Sequence, residues 1–297
     1  MEPVIKAQRI VLHVGAHRTG TGSFQAFLDK NEAVLNENGI SARYPGRDID
    51  GSGNMKLKLP QAEAIRAGGI NDDHIIAARK QLMSGATTGE LIISEENILG
   101  RMFPFFQGSF YNRIIPRMRV LGQAMGRAPD QVVLVTRNYG EFFVSAYAQM
   151  AQVRVMPSWE KAGPKLMRDE RTWIDVAGAL HKGLNPTRIT VVPYANRGSN
   201  AHLLGIMTKT KITALQEAEK GTNISATAEA IEELQKRLTA KEDLTWAQVH
   251  QIKDDHSVAN GGTVFNPLTP AQKSAFTRKY NADMKVLKED TRIHFEG

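Results

Sequence analysis

The sequence predicts an α/β fold in which a five-stranded parallel sheet is flanked by helices. Near-continuous runs of Val, Ile and Leu recur along the first two thirds of the chain, and segments with helical periodicity separate them. Strands that are apolar throughout, rather than on alternate residues, are typical of a parallel sheet that is buried on both faces. The five predicted strands are residues 9–15, 40–44, 90–94, 131–136 and 188–194.

The segments between these strands follow the period of amphipathic helices. The first predicted helix begins near Thr21 and ends at Asn38-Gly39, a sequence typical of a helix C-terminus. Further helices are predicted near residues 72–83, 111–126, 140–151 and 172–183. In the second of these four, Pro116 predicts a kink.

Beyond residue 196 the pattern changes to helices joined by polar segments. Helices are predicted at residues 225–239, with Ser225 as the N-cap, at 245–253 and at 270–290. We therefore interpret residues 1–297 as a single domain. Its α/β core spans about residues 9–197, and a helical C-terminal extension spans about residues 198–297.

The composition is ordinary for a globular protein, with 297 residues of which 41% are hydrophobic. No run reaches the roughly 18 apolar residues of a membrane span, and the first residues lack the apolar core of a signal peptide. We therefore expect a cytoplasmic protein without a membrane partner. The chain has no cysteine, which excludes disulfides and thiolate metal sites, and we predict no metal site.

The formal charge of +7 suits an anionic ligand. Nucleic acid is disfavoured as a partner because the basic residues alternate with acidic ones, as in residues 168–171, and do not form a basic stripe or tail. A small polyanion is therefore the expected ligand. The sequence does not indicate an oligomeric state.

Residues 12–23 read Leu-His-Val-Gly-Ala-His-Arg-Thr-Gly-Thr-Gly-Ser, an apolar strand that leads into a glycine- and hydroxyl-rich loop and then a helix. Backbone amides of such a loop and of the helix start behind it point at one anion. The nucleotide-binding pattern Gly-x-x-x-x-Gly-Lys-[Ser/Thr] is not met, because Thr21 and Gly22 follow Gly20 where a Lys and a hydroxyl residue are required. A standard ATP or GTP site is therefore disfavoured. The basic group comes earlier, as Arg18.

Three motifs together resemble the sulfotransferases that use 3′-phosphoadenosine 5′-phosphosulfate (PAPS). The loop from Arg18 to Ser23 is similar to their 5′-phosphosulfate loop, usually Lys-[Ser/Thr]-Gly-Thr-[Thr/Gly]. Arg137 at the end of the fourth strand, with Ser145 two helical turns later, resembles their 3′-phosphate motif. Tyr194, at the end of the fifth strand, matches the Tyr that packs against adenine, although Ala195 replaces the usual Glu.

This resemblance covers mainly residues 9–40 and 90–197, and it implies a P-loop-like sulfotransferase fold of the bacterial, cytoplasmic type. The implied activity transfers a sulfuryl group in line and without a metal, from PAPS to an unidentified hydroxyl or amine on a small molecule or glycan. The implied nucleotide-binding residues are Arg18, Thr19, Gly20, Thr21, Gly22, Ser23, Arg137, Ser145, Tyr194 and Asn223.

The resemblance also implies catalytic roles. Arg18 takes the place of the family's Lys and would stabilise the leaving phosphate by charge alone, because a guanidinium stays protonated. Beside it, His17 is a candidate donor of a proton or hydrogen bond. The third strand ends in Ser-Glu-Glu-Asn, where Glu96 is the predicted general base and Glu95 its alternative.

Acceptor pockets vary within the family. Here they are predicted from residues 45–69, 102–112, 153–171 and 254–267.

Two other functions remain open from the sequence. One is a kinase with a degenerate phosphate loop, which would bind magnesium-ATP but here lacks the loop Lys. The other is a nucleotide-binding protein of the same fold without catalytic activity, which the departures at Arg18 and Ala195 favour.

Overall fold

The computed structural model describes residues 6–46, 53–68, 71–83, 89–217 and 225–297. Within these ranges, six parallel strands form one sheet in the order β2-β3-β1-β4-β5-β6. The strands are β1 (Arg9–His13), β2 (Ile40–Arg43), β3 (Glu90–Ser94), β4 (Gln131–Thr136), β5 (Arg188–Pro193) and β6 (Ile293–Phe295). The predicted α/β fold with a parallel sheet flanked by helices is thereby confirmed.

The predicted number of five strands is wrong. The sixth strand, β6, comes from the C-terminal extension and pairs in parallel with β5, with Ile293 opposite Ile189. Its three residues include a histidine and give no apolar run, which is why the sequence pattern does not reveal it. The segment predicted to be helical therefore also contributes to the sheet.

The core lies on both faces of the sheet, as β1 shows most clearly. Ile10 and Leu12 belong to one buried hydrophobic cluster, whereas Val11 between them belongs to a second cluster. All three side chains are fully buried. Because successive side chains of a strand point to opposite faces, this division places one cluster on each side of the sheet.

Helices cover these two faces. They are α1 (Thr21–Lys30), α2 (Glu32–Glu37), α3 (Ala62–Arg66), α4 (Asp72–Met83), α5 (Ile114–Met125), α6 (Tyr139–Met150), α7 (Trp159–Arg168), α8 (Trp173–Leu184), α9 (Asn200–Met207), α10 (Ala228–Thr239), α11 (Trp246–Asp255) and α12 (Pro270–Glu289). None of the described helices is both long enough and apolar enough to cross a membrane.

Several helix boundaries differ from the predictions. The first predicted helix is broken at Asn31, whose amide donates to the carbonyls of Phe27 and of the distant Gln216. Pro116 does not interrupt a helix, because α5 begins at Ile114 and its first turn needs no N–H at that position. Three helices, α3, α7 and α9, had no counterpart among the predicted elements.

The predicted N-cap at Ser225 is also wrong. The side chain of Thr227 caps α10 instead, by accepting a hydrogen bond from the amide of Ala230. The helix therefore begins three residues later than the sequence pattern indicates.

The strand order places a crevice at the carboxyl end of β1. From β1 the chain first builds β2 and β3 on one side, and then crosses to build β4, β5 and β6 on the other. Ligands of open parallel sheets bind at such a reversal of strand order, beyond the carboxyl ends of the strands. The loops that follow β1, β3 and β4 therefore meet at one edge.

The helix α12 is held to the core by a buried carboxylate. Asp283, which is 4% exposed, accepts hydrogen bonds from the hydroxyl of Tyr139 at 2.5 Å and from the amide of Trp173 at 3.1 Å. These two partners begin α6 and α8. One side chain thus joins the starts of two core helices to the C-terminal segment.

We expect Asp283→Ala to lower the free energy of unfolding by about 1–3 kcal/mol, because it leaves the buried hydroxyl of Tyr139 without an acceptor. The measurement is urea denaturation with an unchanged m-value. The control is Glu289→Ala, which removes an exposed carboxylate from the same helix. Equal stability of the two variants would contradict this account of α12.

Candidate functional site

The loop after β1 folds into a cradle at the start of α1. Arg18 and Gly20 adopt left-handed backbone conformations, with φ values of 63° and 80°. The hydroxyl of Thr19 donates to the carbonyl of Ala16 at 2.6 Å and closes the turn. Gly20 is the N-cap of α1, and no side chain caps the helix there. The first amides of α1, which have no partner within a helix, are therefore available to a ligand.

Two buried polar atoms without a hydrogen-bond partner in the described chain lie beside this loop. They are Nε2 of His13 and Oγ1 of Thr21, on side chains that are 0% and 2% exposed. A Cβ atom built on Gly15 would stand 2.8 Å from the first atom and 2.6 Å from the second. Both atoms therefore flank Gly15. Buried polar groups without a partner are rare, so these two atoms are candidate contacts for a polar ligand of the loop.

His13 is neutral in the folded protein. Its Nδ1 lies 2.9 Å from the hydroxyl of Ser94 at the end of β3. Burial, and secondly the charge of Arg197, lower the pKa of His13 to about 3. The ring therefore offers a hydrogen bond rather than a charge to the loop.

Arg197 supports the loop from behind and was not identified from the sequence. It is 9% exposed, and its Nη2 donates to the carbonyl of Gly20 at 3.3 Å and to Oδ1 of Asn200 at 2.5 Å. The amide of Asn200 in turn donates to the hydroxyl of Ser23 at 3.2 Å. Burial is the main cause that lowers the pKa of Arg197, while Tyr194 acts in the opposite direction. The arrangement places a positive charge under the cradle.

The structure brings the three sequence motifs together. Nη1 of Arg137, which follows β4, donates to the backbone carbonyl of Arg18 at 2.7 Å. Nε of Arg18 donates to the hydroxyl of Ser145 on α6 at 2.8 Å. The guanidinium carbon of Arg137 lies 4.8 Å from the ring centroid of Tyr194, which follows β5. Residues from three strand ends thus share one crevice.

The partners within this crevice differ from the predicted ones. Ser145 accepts its hydrogen bond from Arg18, whereas Arg137 pairs with Glu141 at 3.4 Å. The roles assigned to Arg18 and to the Arg137–Ser145 pair stay predictions. Asn223, the remaining predicted nucleotide contact, lies outside the described residues.

A further cation comes from the C-terminal segment. Lys253 on α11 is half-buried, and burial lowers its pKa, as does the charge of Arg18. The two cations are therefore close enough to repel each other. Sequence reasoning missed this proximity, because Lys253 lies far along the chain in an ordinary amphipathic helix. Together with Arg137, these residues give the crevice a positive potential that favours an anion with several charges.

His17 is held from both sides by neighbouring side chains. Its Nδ1 lies 2.8 Å from the hydroxyl of Tyr111, and its Nε2 lies 3.1 Å from Oδ1 of Asn97. The amide nitrogen of Asn97 donates to Glu95, so Asn97 presents its oxygen to His17 and His17 carries its proton on Nε2. Donation of that proton to a ligand requires breaking the contact with Asn97. The donor role of His17 stays a prediction.

The two adjacent carboxylates that follow β3 differ in their surroundings. Glu95 is 1% exposed and caps the 3₁₀ turn Glu96–Ile98, where it accepts a hydrogen bond from the amide of Asn97 at 2.7 Å. Glu96 is only partly buried. A carboxylate that is accessible can take a proton from a substrate more readily than one that caps a turn. The choice between them as the general base stays a prediction.

A cavity of about 440 Å³ opens beside Arg137 and Ser145. Val144 and Ala148 of α6 line one wall, and the segment 258–268 lines the other. An apolar cavity with a cation and a hydroxyl at one end suits a ring that carries an anionic substituent. Within the described ranges, no group of three or more His, Asp or Glu side chains is placed to hold a metal ion.

Comparison with known proteins assigns this chain to no family. No model of a known protein family matches the chain, and no curated protein sequence is significantly similar to it.

We expect the free energy of unfolding to fall as the pH is lowered from about 6.5 towards 3, because the unfolded chain takes up a proton at His13 before the folded chain does. One such group changes stability by at most about 1.4 kcal/mol per pH unit. Urea denaturation at several pH values should show a shallower dependence for His13→Asn than for the unchanged protein. The exposed His250→Asn is the control. If the free energy of unfolding depends on pH in the same way for the unchanged protein and for His13→Asn, His13 is not held neutral by the fold.

We expect Gly15→Ala to reduce the affinity for pyrophosphate about tenfold, because the new methyl group would displace Thr21 and His13 and cost about one charge-assisted hydrogen bond. Calorimetric titration measures this change. Gly178→Ala on α8 is the control, because a Cβ there meets no atom within 4 Å. The cradle is misassigned if both variants bind pyrophosphate as the unchanged protein does.

Proposed function

We propose that this protein is a sulfotransferase that moves a sulfuryl group from PAPS to a hydroxyl or amine acceptor. The observation that carries the proposal is the meeting of three motifs at one crevice. Arg137 contacts the carbonyl of Arg18, Arg18 contacts Ser145, and Tyr194 lies against Arg137. Arg18 precedes Arg137 by 119 positions along the chain, and the residues of the three motifs meet only in the fold.

The residues present fit such a nucleotide. The cradle offers the first amides of α1 and two unpartnered polar atoms, those of His13 and Thr21, to one phosphate group. Arg18 adds positive charge for the same group, and Arg137 and Lys253 provide positive charge for a second phosphate group. The neighbouring cavity of about 440 Å³ provides apolar walls for part of the adenosine.

The co-substrate would supply the sulfuryl group and a phosphate leaving group. A transferring sulfuryl group carries less charge than a phosphoryl group, so fixed donors and good positioning can provide much of the catalysis. The cradle stabilises negative charge with the amides at the start of α1 and with the guanidinium of Arg18. Glu96 receives the proton of the acceptor, and the contacts of His17 with Tyr111 and Asn97 hold the cradle beside the 3₁₀ turn that carries Glu96.

The departures from the family pattern restrict this mechanism. Arg18 cannot donate a proton near neutral pH, so its contribution is electrostatic. Ala195 provides no carboxylate after Tyr194. The mechanism therefore relies on charge and position at the leaving group, and its only proposed proton transfer is at the acceptor.

We expect Arg137→Ala to weaken the binding of 3′-phosphoadenosine 5′-phosphate by about 10- to 100-fold, because it removes a charged donor to the 3′-phosphate. Binding of adenosine 5′-phosphate, which lacks that group, should change much less. Isothermal titration measures both. Arg188→Ala is the matched control, because Arg188 is an exposed arginine at the opposite end of β5.

Other outcomes separate the alternatives. Equal losses for both nucleotides in Arg137→Ala would reject the 3′-phosphate assignment. Tighter binding of magnesium-ATP than of the bisphosphorylated nucleotide would indicate a kinase. Tight binding of 3′-phosphoadenosine 5′-phosphate, with no transfer of radiolabel from PAPS to any acceptor in a broad panel, would indicate a nucleotide-binding protein without catalytic activity.

A further inference from the structure

A second cavity, of about 300 Å³, lies next to the candidate site and is rich in arginine. Its walls come from Gln61 and Glu63, from part of the segment between residues 99 and 117, and from Arg154. We call it the arginine pocket, after Arg101, Arg113, Arg117 and Arg154. The walls fall largely within three of the segments predicted to line an acceptor pocket, namely 45–69, 102–112 and 153–171.

The arginine pocket carries an excess of positive charge. Glu63 is the only acidic residue among its described lining residues, against four arginines. Arg117, which is 3% exposed, donates to the backbone carbonyls of Ile98, Leu59, Pro60 and Asn97. Burial lowers the pKa of Arg117 to about 10, so this guanidinium remains charged at neutral pH. None of these four hydrogen bonds is to a carboxylate.

Two of the arginines have donors to offer. In the described part of the chain, the side chains of Arg101 and Arg113 make no hydrogen bond and no ion pair, and Arg113 is only partly exposed. The guanidinium carbon of Arg154 lies 4.0 Å from the centroid of the Phe103 ring. A planar fork of N–H donors matches the oxygens of a carboxylate, phosphate or sulfate group.

The pocket adjoins the proposed site of transfer. Tyr111 lines it, and the hydroxyl of Tyr111 contacts His17 of the cradle at 2.8 Å. Arg117 holds the backbone of Asn97, which is the other partner of His17. Tyr111 and the segment around Asn97 therefore connect the pocket to the cradle.

We propose that the acceptor carries an anionic group (carboxylate, phosphate or sulfate) and that the arginine pocket binds this group. The inference rests on the proposed sulfotransferase function and specifies its substrate class. A volume of about 300 Å³ is at the lower end of the range for ligand pockets. The pocket therefore suits a single anionic sugar or a group of similar size.

The test compares glucose 6-phosphate, glucose 6-sulfate and glucuronate with glucose as ligands of the full chain, by calorimetry or saturation-transfer NMR. We expect at least one of the anionic sugars to bind more tightly than glucose. Arg113→Gln and Arg101→Gln should each weaken that binding about tenfold. Arg119→Gln, at an exposed position on α5, is the control. Comparison of the three anions identifies the preferred group.

The proposal is overturned if none of the three anionic sugars binds more tightly than glucose, or if the binding is unchanged in both pocket variants. Loss of the sugar binding in Arg137→Ala, with normal binding in the pocket variants, would place the anions in the nucleotide crevice and overturn it as well. These measurements test the acceptor class and the sulfotransferase function separately. Normal binding of 3′-phosphoadenosine 5′-phosphate without sugar binding rejects only the acceptor class, whereas the reverse result rejects the sulfotransferase function.

Discussion

The candidate site depends on one hydrogen bond, from the guanidinium of Arg137 to the backbone carbonyl of Arg18. It joins the loop after β1 to the end of β4, two segments that are far apart in the chain and that the proposed function assigns to the two phosphate groups. The parallel sheet makes this bond reachable, because neighbouring parallel strands end at the same edge. A charged donor on a carbonyl is also stronger than a neutral one. The geometry of the crevice therefore follows from the strand order as much as from the motifs.

The positively charged side chains of the site lie at two depths. Arg197 lies buried beneath the cradle, while Arg18 and Arg137 line the crevice and Lys253 reaches it from α11. Repulsion between these cations raises the free energy of the folded protein, although Glu141 pairs with Arg137. A polyanion would relieve that repulsion. Binding and folding stability are therefore coupled at this crevice.

The sequence predicted those features that depend on one short, continuous stretch of residues. Continuous apolar runs predicted five of the strands. Arg18, Arg137 and Tyr194 could be selected because each follows a strand, and Ser145 because of its spacing from Arg137. Contacts between distant segments have no such signal. The break at Asn31 depends on Gln216, the position of Lys253 depends on how α11 packs, and Arg197 lacks a motif of its own. The three-residue strand β6 is too short for a periodic pattern. These features could be found only from the structure.

The left-handed backbone of Arg18 has a consequence for engineering. A residue with a Cβ atom is about 1–2 kcal/mol less stable in that conformation than glycine is. Selection of variants for heat resistance alone would thus tend to enrich glycine at position 18 and discard the guanidinium. Thermostability and the proposed ligand binding oppose each other at this residue. A screen on this scaffold needs to reward both properties.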